Sequence, residues 1–210
     1  MKKVINIFGD ITATPKSKTD VSLDSITNEL KGLNKGDNLE VNINCYGGEV
    51  FEAVAIANVI SSSPASKVFN VIGVCASAAT MLFSAEDTVN IAKGAMVMYH
   101  KPMVDVSGNS NDLRKTARLL DKMEKDNVLA NLEIRTGKIV DELALLIAEE
   151  WWLSSDEAVQ MLGFIDAGVN AIENKAQTSQ IGVYKNYLKR KKALNVNAYS
   201  IFINHKNNLR

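Results

Sequence analysis

The sequence predicts an α/β fold. Short apolar, β-branched runs that suit strands alternate along the chain with segments whose apolar residues recur every three to four positions. Residues 39–45 (Leu-Glu-Val-Asn-Ile-Asn-Cys) alternate apolar and polar, whereas residues 19–32 carry Leu23, Ile26 and Leu30 on one helical face. A third observation is that polar elements recur where strands end: Gly47-Gly48, Ser77 and His100. In α/β sheets ligand sites gather at the carboxyl ends of strands, so these groups are expected to converge.

Residues 4–8 read as the first strand, closed by Gly9-Asp10, and the polar stretch 12–18 with Pro15 reads as a loop. Thr19-Asp20 offers N-cap residues to the helix that runs to Gly32. After the strand at 39–45 and Tyr46-Gly47-Gly48, residues 52–60 form a helix stopped by Ser61-Ser-Ser-Pro64. A buried strand at 68–74 then gives way to small residues, and a helical segment follows Ser77. Residues 88–92 and 95–99 suit two strands separated by Lys93-Gly94, the second delivering His100-Lys101-Pro102. A long helix is expected over 111–135, with Leu113, Ala117, Leu120 and Leu132 on its apolar side, ended by Gly137. A short helix follows at 141–149. Ser154-Ser-Asp-Glu157 is a capping box for a helix ending at Gly163. Beyond about residue 170 the pattern weakens into a basic run at 185–192 and an Asn-rich end, giving a domain at 1–170 and a tail at 171–210.

A chain of 210 residues with 46% hydrophobic content can bury a full core. With 24 basic and 24 acidic residues, nothing global favours nucleic acid or a membrane surface. No apolar run approaches membrane-spanning length, and the start, Met1-Lys-Lys-Val-Ile-Asn-Ile-Phe-Gly-Asp10, meets polar residues too early for a signal peptide. Two cysteines make no disulfide framework, so the expected compartment is a reducing cytoplasm. Two cysteines and two histidines without clustered spacing argue against a metal, and no phosphate-cradling glycine loop is present; no cofactor is expected.

Ser77 stands where a buried strand meets a helix start. A hydroxyl there is held at a fixed point beside N–H groups without intrahelical partners, with the positive end of a helix dipole facing it. That is the logic of an activated nucleophile, although the same junction suits a serine that only caps a turn. A serine hydroxyl needs a base. His100, at a strand end before Pro102, suits that role or that of a core histidine bonded to a carbonyl, whereas His205 lies in the polar tail. Gly47-Gly48 marks a turn, or lets the main chain approach a ligand and offer an N–H to an oxyanion. Cys75 is a rival nucleophile, two residues before Ser77 and still inside the apolar run.

These residues, in this order, resemble the Clp protease proteolytic subunit (ClpP) family, and more narrowly its phage and prophage head maturation proteases. The resemblance covers about residues 5–168. Asn44-Cys-Tyr-Gly-Gly-Glu-Val50 stands where the family has Asn-Ser-Pro-Gly-Gly, and Gly73-Val-Cys-Ala-Ser-Ala-Ala79 matches its nucleophile segment. Met98-Tyr-His-Lys-Pro102 matches Met-Ile-His-Gln-Pro. Glu150-Trp-Trp-Leu-Ser-Ser-Asp-Glu-Ala158, with Leu162-Gly-Phe-Ile-Asp166, matches the stretch that holds the third triad member.

The resemblance implies a spiral of β-β-α units of the ClpP/crotonase type, with residues 111–135 as a protruding handle helix. It implies a serine endopeptidase with Ser77 as nucleophile, His100 as base and Glu150 as orienting carboxylate. The oxyanion donors would be the N–H groups of Gly48 and Ala78, and Gly47 and Met103 would line the bound peptide. A heptamer-like homo-oligomeric ring, single or double, would enclose the sites. Three departures accompany it: Glu150 replaces an aspartate, with Glu149 as an adjacent competitor; Ala148-Glu149 replaces the charged pair that couples two rings; and the chain begins almost at its first strand. The family's ATPase partner contacts an N-terminal axial segment, so the last departure favours capsid or scaffold proteins as partners over a Clp ATPase. Two alternatives accompany this expectation: a crotonase-type acyl-CoA enzyme, which shares the spiral fold, and a catalytically silent ring scaffold.

Overall fold

The computed structural model describes residues 1–168. The boundary expected at 170, the basic run 185–192 and His205 lie outside the described residues. Among the described residues, seven strands form one mostly parallel sheet. Strands β1 (Lys2–Ile7), β2 (Asn38–Cys45) and β3 (Ser66–Ala76) pair in parallel, linked by crossover helices α1 (Leu23–Leu30) and α2 (Val50–Ser62). Alternate residues face the helices. Ile5, Ile7, Leu39, Val41, Ile43, Phe69 and Val71 join Ile26, Ala53, Ile56 and Ile60 in the main core. Full burial of each large side chain contributes roughly 1.5–3 kcal/mol, which makes this face the principal source of stability.

Helix α1 starts later than expected. Ser22, not Thr19 or Asp20, is its N-cap, in a reciprocal capping box with Ser25. Asp20 is committed elsewhere: its carboxylate accepts from the N–H groups of Lys16 and Ser17, and Val21 is bridged to Ile11.

Strand β3 is longer than the expected 68–74, and it changes partner along its length. Its first half pairs with β4 (Val89–Ile91), at Phe69↔Val89 to Val71↔Ile91. Its second half pairs with β5 (Met96–Tyr99), at Val74↔Met96 to Ala76↔Met98. Strands β4 and β5 therefore run the same way beside β3, with Lys93-Gly94 as an interruption between them. Strand β6 (Trp151–Ser154), which the sequence reading missed, pairs antiparallel with β5, and β7 (Ile165–Asp166) adds to β4.

Residues 110–136 form the long helix, built from α3 (Ser110–Met123), a π-helical segment (Glu124–Leu129) and α4 (Ala130–Thr136). Gly137 ends it in the left-handed region at φ +65°. Its base is pinned by Arg135, whose guanidinium lies over the rings of Phe83 and Phe164 and donates to the carbonyls of Ser84, Asp87 and Leu162. Helix α5 (Val140–Ala148) leads to β6. Helix α6 (Ser155–Leu162) has the expected Ser154/Glu157 capping box and a left-handed Gly163. No helix among the described residues is long and apolar enough to cross a membrane.

Candidate active site

The expected helix after Ser77 is a 3-10 turn of five residues, Ser77–Met81. So short a turn has little macrodipole, and the dipole argument gives way to a conformational one. Ser77 has φ +56°, and Glu150 has φ +57°; among the described residues these two are the non-glycine residues with positive φ. A left-handed backbone costs a residue with a Cβ about 1–3 kcal/mol and persists only where its surroundings enforce it. For Ser77, the enforcing contacts are the buried end of β3 on one side and Thr80 on the other, whose hydroxyl donates to the Ser77 carbonyl at 2.7 Å.

Because β3 passes from β4 to β5 along its length, its carboxyl end lies beside that of β5. His100 leaves β5 there, and Ser77 Oγ and His100 Nε2 are 2.6 Å apart. Burial holds the His100 pKa below its ordinary value, and the Glu150 carboxylate acts in the opposite sense. Glu150 therefore lies within electrostatic reach of the imidazole. The carboxylate is exposed, and its Oε2 accepts from Trp152 Nε1 at 3.3 Å. Glu149, the adjacent acid, is an exposed residue at the end of α5.

The glycine pair closes the opposite side. Gly47 has φ +110°, and a Cβ placed on it would lie 2.8 Å from Ser77 Cβ and 3.0 Å from the Ala78 nitrogen. Only a residue without a side chain allows the main chain that close to Ser77. The Gly47 N–H is taken by Cys45 Sγ at 3.3 Å, and its carbonyl accepts from Ile11 N at 2.9 Å. The next amide, Gly48, carries no such bond among the described residues. Gly48 is itself pressed on Ile11, where a Cβ would meet the Ile11 oxygen at 2.1 Å. Ala78 is the second residue of the 3-10 turn, ahead of the turn's own hydrogen-bonded N–H groups.

Ser77, His100, Glu150, Gly47, Gly48 and Ala78 are thus brought to one place. Met103 lies three residues past His100 in the irregular segment 101–109 and is 76% exposed. Cys75 is fully buried, and desolvation pushes its thiol well above the ordinary value, which leaves it without thiolate for chemistry. Cys45 is raised to about 11 for the same reason. Sequence reasoning missed Trp152 as a partner of Glu150. The signal was there in Trp151-Trp152-Leu153, an aromatic, strand-prone run directly after the carboxylate.

The family model for Clp protease matches residues 9–171. Among curated proteins, the chain is similar to the ATP-dependent Clp protease proteolytic subunits of two strains of Bacteroides fragilis and of Bacteroides thetaiotaomicron. Each is 25% identical over 141 residues, 65% of this chain. The chain spans 66% of the length of one Bacteroides fragilis relative and 62% of the other two relatives. A match that runs from the loop after β1 through every strand and turn assembling this site decides the matter of kinship: the chain belongs to the Clp protease family.

Proposed function

We propose that this chain is a serine endopeptidase acting through Ser77, His100 and Glu150. The observation that carries the proposal is the 2.6 Å contact between Ser77 Oγ and His100 Nε2, at a serine held in a strained conformation. In this reading Ser77 Oγ attacks the carbonyl carbon of a peptide bond while His100 Nε2 accepts the hydroxyl proton. The tetrahedral oxyanion is received by the N–H groups of Gly48 and Ala78, each worth roughly 3 kcal/mol, or 10²–10³ in rate. The imidazolium returns its proton to the departing amine as the C–N bond breaks. Water, deprotonated by the same imidazole, then releases the acyl group. Glu150 orients the ring and stabilises its cation without taking the proton. Gly47 and Met103 flank the path of the bound peptide. The family match favours this reading over an acyl-CoA enzyme.

At a finer level, the reading extends to a heptamer-like ring and to head maturation in a phage or prophage. Its support is the family match together with the glutamate at position 150. The decisive experiment treats the assembled protein with a fluorophosphonate probe and maps the adduct by mass spectrometry. An adduct on Ser77, abolished in His100→Ala, is expected; an intact protein without label overturns the proposal. For the finer reading, Ser77→Ala is expected to leave ring and procapsid assembly intact while processing of capsid proteins stops. Processing that continues with Ser77→Ala reduces the chain to a scaffold.

A further inference from the structure

The segments that carry the three candidate catalytic residues are joined by one cross-strand row. Ala76 of β3 pairs with Met98 of β5, and Met98 pairs with Trp152 of β6. Their side chains meet Val74 in a small apolar cluster separate from the main core. Ser77 is one residue past Ala76, His100 two past Met98, and Glu150 two before Trp152. The row therefore fixes the three backbones relative to one another.

Trp152 does more than fill space in that row. Its half-buried ring packs in the cluster, while its Nε1–H donates to Glu150 Oε2 at 3.3 Å. An indole has a donor and no acceptor, and an ionised carboxylate has acceptors and no donor, so the pairing has one sense only. Glu150 is exposed and stands on a left-handed backbone, with one more rotatable bond than an aspartate. Such a side chain loses considerable rotamer freedom when held in one geometry. A second anchor point on the carboxylate offsets that loss.

We propose that Trp152 is the positioning residue for Glu150: its ring is fixed by Met98 and Ala76, and its N–H holds one carboxylate oxygen so that the charge stays directed at His100. The inference rests on the reading of Glu150 as the orienting carboxylate. A phenylalanine at 152 would keep the packing and remove the donor, which makes the role separable from a structural one.

The test measures Ser77 labelling by a fluorophosphonate in the full chain. In that step the Oγ–P bond forms, the P–F bond breaks, fluoride leaves and the hydroxyl proton passes to His100. Trp152→Phe is expected to lower the maximal labelling rate about 3–10-fold, as for loss of a partly exposed hydrogen bond to a charge. The half-saturating probe concentration should stay unchanged. On a Glu150→Ala background, adding Trp152→Phe should change nothing further. The same fold loss on that background assigns Trp152 to packing and overturns the inference. A normal rate in Trp152→Phe, with Glu150→Ala impaired, overturns it too but leaves the triad reading standing. A normal rate in Glu150→Ala defeats the triad reading itself. A second measurement needs no change at 152: in ¹⁵N-tryptophan spectra, the Trp152 indole signal is expected to move upfield in Glu150→Ala. An unmoved signal counts against the inference whatever the kinetics of the variants.

Discussion

Two rows of residues cross this sheet, and they differ in what they leave uncommitted. The first is polar: Asn6, Asn42, Asn70 and Asn90 stand in register on β1 to β4. Asn90 donates to Asn70 at 2.9 Å, Asn70 to Asn42 at 3.0 Å, and Asn42 to Asn6 at 2.9 Å. Backbone geometry along this row is ordinary, and each amide is occupied by its neighbour. The second row, Ala76–Met98–Trp152, is apolar, and the chain beside it breaks regular geometry at Ser77 and again at Glu150. There the Gly48 amide has no hydrogen-bond partner among the described residues, and a hydroxyl meets an imidazole. A parallel sheet satisfies its own polar groups wherever the register continues. Chemistry is available where the register stops and strain holds groups apart from their usual partners.

The harshest way to break that contrast is at Gly47. Gly47→Ala puts a methyl 2.8 Å from Ser77 Cβ at a backbone φ of +110°, so the turn must shift. We expect a loss of about 2–4 kcal/mol of stability, from strain plus contact. The labelling rate of Ser77 should fall roughly 10²-fold, since a displacement of about 1 Å is enough for that. Gly36→Ala is the control. Its φ is +94°, but nothing lies within 4 Å of the added Cβ. It should cost about 1–2 kcal/mol, as for any residue placed at positive φ, and leave labelling unchanged. Thermal melts and labelling rates on both variants decide; equal effects on labelling would mean that Gly47 has no special proximity to the nucleophile.

A smaller effect is expected in the pH profile. His100 must be neutral to accept the Ser77 proton. Burial lowers its pKa, so the neutral base persists to lower pH, and the acidic limb of kcat/KM should lie below the ordinary imidazole value of 6.5. The Glu150 charge pulls the other way. Glu150→Gln removes that pull, so the limb should move further down even as the rate falls. A limb above 6.5, or one that moves up in Glu150→Gln, contradicts the electrostatic account. Lys101, next to His100, is paired with Glu124 at 3.2 Å and should hold its influence constant between the two proteins.

Much of this arrangement was legible in the sequence, and the parts that were not share a cause. Period-two alternation located β2, and the Ser154/Glu157 box and Gly163 bounded α6, because those signals are local. The candidate nucleophile and base were readable as polar residues ending apolar runs. The short 3-10 turn after Ser77 was not, since Ala78, Ala79 and Met81 carry good helical propensity that tertiary packing overrides. Strand β6 was passed over because four residues rich in tryptophan give too short a run to show a period. The left-handed Glu150 left no trace at all. Glycine announces positive φ in a sequence; a glutamate forced into it by flanking pairings does not.

The mildest perturbation tests the polar row by itself. Asn70 sits in its middle, donating to Asn42 and accepting from Asn90, and it is only partly buried. Asn70→Ala removes both bonds, but water can replace them at the orphaned amides, so the expected cost is about 1 kcal/mol. For a chain of this size that is roughly 2–4 °C in Tm. Ser77 labelling should stay within about twofold of the parent, because Asn70 lies on the half of β3 that faces β4, whereas the site hangs from the half that faces β5. A tenfold loss of labelling would mean that strain at Ser77 depends on the regular ladder upstream of it. The change of partner along β3 would then transmit register to the nucleophile, and the two rows would have to be treated as one mechanical unit.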